Sequence, residues 1–286
     1  MALPLSVLPG MAYAADVATR NDAIGGMVVS ERDYVSTWLT TLRNNWRMLG
    51  GQASMAFVTL LPGYEQLLGC DGAIVVEDAV TKQFKILLFE AKRIRLNMDV
   101  LKSHKNIAHT AVEYGVAASP SYHSHFSDQI ARQAGVVAAN PHVSIVEIFL
   151  SLNSPVAPFV PPVFDAHGSA CVDHHAARDY VTPPATVPPA PQIAFNAAWD
   201  HVADLPIVCN VAPGRNLKST LDDLVACRIG RPVTHPDGAA GILRELNPDV
   251  NQLIGQQVVP LPAVLRALGL RYFLHVTGEA SGWGRN

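Results

Sequence analysis

Residues 69–95 read GCDGAIVVEDAVTKQFKILLFEAKRIR, and the rest of the chain is organised around this stretch. Two apolar runs flank a short polar centre, which is the pattern of two β-strands joined by a tight turn. Side chains alternate between faces along a strand, so Glu90 and Lys92 point the same way. A turn around residues 80–81 places Asp71 opposite Glu90. We therefore expect two carboxylates and one ammonium group to share one end of a sheet.

This group of charges favours a divalent cation. Two carboxylates that lie close together disfavour joint ionisation, and a bound cation relieves their repulsion. Mg2+ prefers oxygen ligands, so Asp71 and Glu90 are candidate metal ligands. The apolar run at residues 86–89 leads straight into Glu90, which places this carboxylate at the end of a buried strand. The alternative is a surface hairpin that carries an ordinary Glu–Lys pair.

An Asp, a β-hairpin and then Glu-x-Lys resemble the motif of the PD-(D/E)XK nucleases, which have the restriction-endonuclease-like fold. The motif residues here are Asp71, Glu90 and Lys92, and Cys70 stands where the family name has proline. The resemblance implies an α/β fold with a mixed central sheet and a core of helix, three strands, helix and strand. It also implies that Asp71 and Glu90, helped by the Ala91 carbonyl, hold Mg2+ or Mn2+. Lys92 then orients a water, and a phosphodiester bond of DNA is hydrolysed.

The order of predicted elements matches that core. Residues 142–152 are apolar on both faces apart from Glu147, which indicates a central strand. Periodicity and capping signals predict the other elements: a helix from Ser30 to the glycine pair at 50–51, a strand at 55–61, the two strands of the hairpin, a helix within 96–118, and a helix from Ser127 or Asp128 to residue 139.

The resemblance implies further site residues on two helices. Glu31 lies on the apolar stripe of the first helix and is a candidate for facing the metal, whereas the alternative is an acid that the helix dipole favours in the first turn. On the helix that follows the motif, Gln129 is predicted to face the active site as a catalytic residue. Arg132 and Gln133 are the second choices, and ordinary polar residues on a solvated helix face are the alternative.

Charge is low overall but clustered. Only 16% of the 286 residues are charged, and the net charge of −3 argues against a globally basic nucleic-acid binder. A basic strip nevertheless lies between residues 82 and 105, where it could contact phosphates next to the predicted site. A solvated strand edge is the alternative. The strip contains Lys82, Lys85, Lys92, Arg93, Arg95, Lys102 and Lys105. Those assigned to nucleic-acid binding are Arg93, Arg95, Lys102 and Lys105, together with Arg132.

Other features of the composition concern partners and compartment. A poorly charged surface favours partial coverage by partner subunits, so a homo-oligomer is predicted in addition to the DNA partner. The four cysteines form no CxxC pair, which indicates free thiols in a reducing compartment and a cytoplasmic, non-secreted protein. No stretch is long and apolar enough to span a membrane, so no membrane partner is expected.

Four regions are predicted along the chain: an irregular N-terminal arm at 1–29, the nuclease-like core at 30–154, a proline-rich linker or extended surface segment at 155–191, and a C-terminal α/β region at 192–286. The third region contains nine prolines, and Asp173, His174 and His175 within it are interpreted as polar loop residues. In the last region we predict helices at 193–202, 217–229, 238–246 and 261–268, and strands at 205–211 and 271–276. That region serves recognition or oligomerisation, or it adds elements to the core.

Three functions are compatible with these observations. The first is a metal-dependent nuclease that acts on DNA. The second is a non-enzymatic structural or binding protein that retains a nuclease-like fold, which the low charge and the pI of 6.4 favour. The third is a chance match of the motif in an unrelated α/β protein.

Overall fold

The computed structural model describes residues 2–60, 67–93, 125–150, 169–181, 215–247, 250 and 260–283. Within these residues the fold is α/β, with one mixed sheet of six strands between helices. The strands are β1 (Gln52–Phe57), β2 (Gly72–Asp78), β3 (Phe84–Arg93), β4 (Val143–Leu150), β5 (Ala170–Asp173) and β6 (Tyr272–Gly278). The helices are α1 (Leu8–Ile24), α2 (Glu31–Met48), α3 (His125–Ala139), α4 (His174–Val181), α5 (Leu217–Val225), α6 (Gly238–Glu245) and α7 (Leu261–Leu268).

The strand order is β1-β6-β2-β3-β4-β5. β2 and β3 are antiparallel, as the predicted hairpin requires, and β3 runs parallel to β4. β6 inserts between β1 and β2, antiparallel to the first and parallel to the second. The described elements therefore follow the predicted order of helix, three strands, helix and strand, with a late strand added inside the sheet.

The hairpin register agrees with the sequence prediction. Gly72 pairs with Phe89, so the next position outward on each strand sets Asp71 opposite Glu90. The turn is held by the carboxylate of Asp78, which accepts from the Thr81 amide at 3.1 Å. The predicted apolar run of β3, residues 86–89, is completely buried.

Alternation along the strands divides the core into two layers. On β2, Ile74 and Val76 pack on the face that α1, α2 and α5 cover, whereas Ala73 and Val75 face α3, α6 and α7. Glu90 continues the alternation of Ile86 and Leu88, so its side chain lies on the face of α3.

Two predicted boundaries need correction. The first strand was expected at 55–61, but β1 is Gln52–Phe57, because its pairing with β6 ends at Phe57 while Val58 and Leu60 still bury their side chains. α3 begins at His125, ahead of the predicted caps Ser127 and Asp128, and ends at Ala139 as predicted.

The prediction of an irregular arm at 1–29 is wrong. α1 occupies most of that region, and Leu8, Ala12 and Ala15 on it are completely buried. The low contrast between its small residues hides the helical period. Pro9 lies in the first turn, where the missing amide proton costs little. Ser30 caps α2 as predicted, and its hydroxyl accepts from the Asp33 amide at 3.1 Å.

The predicted linker also needs correction, whereas the alternative that the C-terminal region adds elements to the core agrees with the position of β6. β5 and α4 fall within 155–191, yet β5 pairs with β4 as part of the main sheet. β6 comes from the C-terminal region and lies inside the same sheet. Strand pairing between distant segments, which the local proline content does not reveal, places both in the core.

In the C-terminal region, α6 and α7 agree with their predicted positions, and the strand expected at 271–276 is β6 (Tyr272–Gly278). The helix expected at 217–229 ends earlier, at Val225, since Cys227 adopts a left-handed φ of 59°. The elements predicted at 96–118, 193–202 and 205–211 lie outside the described residues.

Candidate active site

The structure brings the motif residues together at the open end of the hairpin. Lys92 Nζ forms an ion pair with Oε1 of Glu90. Asp71 lies opposite, and its Oδ2 accepts a hydrogen bond from the Ala91 amide at 3.0 Å. The expected juxtaposition of Asp71, Glu90 and Lys92 is therefore present.

Glu90 is the most constrained of these residues. It is 2% exposed, and Gln129 Nε2 donates to its Oε1 at 2.6 Å. Burial raises the pKa of Glu90 well above its ordinary value, the charge of Asp71 raises it further, and Lys92 opposes both effects. Among the described residues, Oε2 of Glu90 has no hydrogen-bond partner. A buried acceptor left this way is costly unless a further group binds it.

Lys92 supplies the positive charge of the site. Burial alone would lower the pKa of its ammonium group, but the nearby carboxylates of Glu90, Asp71 and Glu31 raise the pKa above its ordinary value. Glu31 lies in the first turn of α2 and is close enough for its charge to act on Lys92. The structure thus places Glu31 on the side of the site, where the sequence analysis expected it.

Of the three candidates on α3, the first choice, Gln129, is the one that contacts a motif carboxylate. Gln129 contacts Glu90 directly, whereas Gln133 donates to the Gly69 carbonyl at 2.7 Å and does not contact the motif carboxylates through a hydrogen bond. Arg132 is exposed. A Cβ placed on Gly69 would lie 3.3 Å from Cβ of Arg132, so this basic residue stands beside the loop that carries Asp71.

Sequence reasoning missed Glu147 as a site residue. It pairs in register with Glu90 on the neighbouring parallel strand, and its carboxylate is completely buried. Neither oxygen has a hydrogen-bond partner among the described residues. Burial raises the pKa of Glu147 to about 8, an effect that Lys92 and Gln133 oppose. The sequence feature that could have identified Glu147 is a single acidic residue in an otherwise apolar central strand.

His174 was interpreted as a polar loop residue, and that interpretation is wrong. It begins α4, its side chain is buried, and Nδ1 lies 2.9 Å from Oε1 of Gln133. His175 is exposed, in agreement with the sequence interpretation. The two adjacent histidines therefore have different environments. They form the first turn of α4, where the side chain of His174 is buried and that of His175 is exposed to solvent.

The predicted basic strip is not continuous. Lys82 lies at the opposite end of the hairpin and pairs with Glu77 at 3.2 Å. Lys85 is completely buried, and its ammonium donates to the Leu224 carbonyl at 2.5 Å, so it cannot contact a nucleic acid. Arg95, Lys102, Lys105 and the side chain of Arg93 lie outside the described residues, and their assignment to DNA binding stays a prediction.

Two arginines that the sequence analysis did not select lie near Asp71. The Arg271 amide donates to the Asp71 carbonyl at 2.8 Å, and the phenol of Tyr272 donates to the Arg32 carbonyl at 3.4 Å. Burial raises the pKa of Tyr272 and Asp71 adds to the increase, whereas the charges of Arg271 and Arg32 oppose it. Both guanidinium groups are therefore within electrostatic reach of the Tyr272 phenol, on which the charge of Asp71 also acts.

The donor set suits a hard cation. The described residues contain no group of three or more His, Cys, Asp or Glu that could hold a metal ion. The predicted ligands are instead two carboxylates and one carbonyl, those of Asp71, Glu90 and Ala91. All of these are oxygen ligands, and Oε2 of Glu90 is a buried acceptor that no described residue satisfies. This chemistry fits Mg2+ or Mn2+.

Comparisons with protein-family models, curated proteins and solved structures find no match to this chain. No helix in the described part of the chain is long and apolar enough to cross a bilayer. The cysteines that the structure describes, Cys70, Cys171 and Cys227, are free thiols.

Proposed function

We propose that this protein is a Mg2+- or Mn2+-dependent nuclease with a restriction-endonuclease-like core, and that it hydrolyses phosphodiester bonds of DNA. The observation that carries the proposal concerns the buried Glu90, whose Oε2 has no hydrogen-bond partner in the described part of the chain and lies in a site where Asp71 adds a second carboxylate. A site built only for stability would supply a donor to each of these oxygens.

The balance of charge supports a cation. Lys92 is the ammonium group in contact with Glu90, while Asp71, Glu31 and Glu147 also lie within electrostatic reach of Lys92. A buried carboxylate without a compensating charge costs several kcal/mol. Glu90 and Glu147 are buried and have oxygens that no described residue satisfies, so a divalent cation bound there would lower the free energy of the folded site.

Each residue then has a distinct role. Asp71 and Glu90, with the Ala91 carbonyl, hold the cation, which when bound polarises a phosphoryl oxygen and lowers the pKa of a bound water. Gln129 fixes Oε1 of Glu90, and the described residues leave Oε2 without a donor and so available to the cation. The Lys92 ammonium is a donor that can orient the attacking water and offset negative charge on the phosphate as the bond breaks.

The surroundings of the site support a nucleic-acid substrate. Arg132 is exposed beside the Asp71 loop, and Arg32 and Arg271 lie near the same end of the sheet. Cationic side chains there attract the phosphate backbone without base contacts. The element order of α2, β1 to β3, α3 and β4 also agrees with the resembled core, although β6 separates β1 from β2.

Cleavage of supercoiled plasmid DNA with Mg2+ tests this proposal. We expect Asp71→Asn, Glu90→Gln and Lys92→Ala each to lower the rate by roughly 10²-fold or more, since each removes a cation ligand or a charge-stabilising donor. Asp222→Asn is the control, because that carboxylate pairs on the protein surface with Lys218 at 2.8 Å. Equal rates in wild type and all three site variants would contradict the proposal.

The second candidate is a non-enzymatic structural or binding protein on the same fold. Exposed apolar side chains favour it, among them Met48 at 84% and Met27 at 73% exposure. Sedimentation and Mn2+ titration separate the two candidates. A large stable assembly without cation affinity supports the structural protein, whereas cation binding that requires Asp71 supports the nuclease.

A further inference from the structure

One face of α3 contacts both the end of β3 that carries Glu90 and the loop that carries Asp71. Gln129 donates to Glu90 at 2.6 Å, and Gln133 donates to the Gly69 carbonyl at 2.7 Å. Both glutamines are completely buried. Side chains one helical turn apart share a face, so α3 contacts the end of β3 through one amide and the loop that enters β2 through the other.

The loop before Asp71 is pressed closely against α3. Gly69 adopts a left-handed φ of 68°, and a Cβ there would lie 2.5 Å from the Gln129 carbonyl oxygen. Glycine is the residue that suits both conditions. After the loop, the Asp71 carbonyl accepts from the Arg271 amide at 2.8 Å. The backbone that carries Asp71 is therefore anchored on one side by Gln133 and on the other by the sheet.

His174 determines how the Gln133 amide is oriented. Because Nε2 of Gln133 donates to Gly69, its Oε1 must accept the contact from His174, and Nδ1 of His174 must carry a proton. His174 stands at the start of α4, directly after the edge strand β5. Two hydrogen bonds in series thus connect α4 with the loop of Asp71.

We propose that Gln133 and His174 form a positioning pair that fixes Asp71 relative to Glu90, an inference that rests on the proposed cation site. Neither residue is assigned to touch the cation or the substrate. Removing a hydrogen bond that orients a metal-ligating residue typically lowers metal affinity by roughly 10- to 100-fold. The pair therefore acts through Asp71, and its histidine comes from a segment outside the predicted core.

Four substitutions test the pair. His174→Phe and Gln133→Met remove the hydrogen-bonding groups and keep much of the side-chain volume. His174→Asn retains a nitrogen donor near the position of Nδ1 and serves as the rescue variant. Asn140→Leu is the matched control, because it removes another buried amide, which donates to the Val136 carbonyl at 3.0 Å near the C-terminal end of α3.

The first measurement uses cation-free protein and reports on Asp71 itself. The Ala91 amide donates to Oδ2 of Asp71 at 3.0 Å, so its hydrogen exchange follows the position of that carboxylate. We expect faster Ala91 exchange in His174→Phe and Gln133→Met, and exchange close to wild type in His174→Asn and Asn140→Leu.

The second measurement is Mn2+ affinity by calorimetry. We expect this affinity to fall roughly tenfold in His174→Phe and Gln133→Met, and to stay close to wild type in His174→Asn and Asn140→Leu.

The outcomes separate this inference from the proposed function. Unchanged Ala91 exchange in both His174→Phe and Gln133→Met overturns the positioning pair, as does an equal increase in Asn140→Leu. Faster exchange with unchanged Mn2+ affinity overturns its role in cation binding. If wild type binds no Mn2+, the nuclease proposal fails, while faster Ala91 exchange in His174→Phe still supports the pair.

Discussion

The two ends of the β2–β3 hairpin carry similar acidic and basic residues but differ in whether their carboxylate oxygens have hydrogen-bond donors. At the turn, the Asp78 carboxylate accepts from Thr81 and Ala280, and Glu77 contacts Lys82 at 3.2 Å and Thr277 at 3.4 Å. Every carboxylate oxygen there has a donor. At the open end, Glu90 and Glu147 retain buried oxygens without a partner among the described residues.

This difference shows what distinguishes a candidate site from a structural cluster. Acidic and basic residues are present at both ends, so their presence alone is not informative. The turn satisfies its acceptors internally, which stabilises the hairpin. The open end has buried acceptors that no described residue satisfies, and this deficit points to a ligand.

The largest expected effect comes from removing the ammonium of the open end. Lys92→Met leaves Glu90 without its ion-pair partner in a buried site, and breaking such a pair costs roughly 3–5 kcal/mol. Urea denaturation with and without Ca2+ measures this cost. We expect Ca2+ to stabilise the variant more than wild type, because a cation replaces the missing charge. Equal stabilisation of both proteins by Ca2+ would contradict the idea that the open end of the hairpin, unlike the turn, binds a cation.

Glu147→Gln should give the next largest effect, and one that depends on pH. The folded pKa of Glu147 is raised to about 8, whereas the ordinary value is 4.5. Between these values the unfolded chain releases the proton and the folded chain keeps it, so the wild type loses stability as pH rises, by at most roughly 1.4 kcal/mol per pH unit. The glutamine variant lacks this loss.

Denaturation of cation-free wild type and Glu147→Gln at several pH values between about pH 5 and pH 8 checks this slope. The advantage of the variant should grow with pH across this range. A difference that stays constant over this whole range would show that Glu147 titrates normally and that the open end is solvated like the turn.

Asp78→Ala should cost about 1–3 kcal/mol at neutral pH, because it leaves the amides of Thr81 and Ala280 without their acceptor. Burial alone would raise the pKa of Asp78, but these hydrogen bonds lower it overall. The stabilisation is therefore present above the ordinary pKa of 3.8 and is lost as pH falls through the folded value. Thermal unfolding should show no dependence on Ca2+, in contrast to Lys92→Met.

The smallest effect is expected for Lys82→Met, the counterpart of Lys92→Met at the turn. Its side chain is 66% exposed, and surface ion pairs of this kind contribute roughly 0–1 kcal/mol. Denaturation under the conditions used for Lys92→Met provides the comparison. A loss as large as that of Lys92→Met would mean that burial does not separate the two lysines.

What could be predicted from the sequence was local. The hairpin register follows from alternation and turn position, and it correctly placed Asp71, Glu90 and Lys92 together. Gln129 was selected through the resemblance to the PD-(D/E)XK nucleases, on the helix that follows the motif. The hairpin prediction concerns neighbouring elements, where the period of the side chains contains the information.

The rest depended on contacts between distant segments. β6 lies between β1 and β2, and β5 brings His174 to Gln133, but no local pattern specifies either pairing. Glu147 stood out as an acid in an apolar strand, yet its proximity to Glu90 required the parallel register of β3 and β4. The α1 helix was missed because alanine and glycine weaken the contrast between its faces.

The position of β6 has a consequence for the order in which the protein is completed during synthesis. The Asp71 carbonyl pairs with the amides of Arg271 and Tyr272, which leave the ribosome some two hundred residues after Asp71 itself. Until then the neighbouring edge of β2 lacks its partner strand, and the acidic end stays unfinished. The hydrogen bonds that hold the backbone of Asp71 from the β6 side are therefore among the last of this sheet to form as the chain is made.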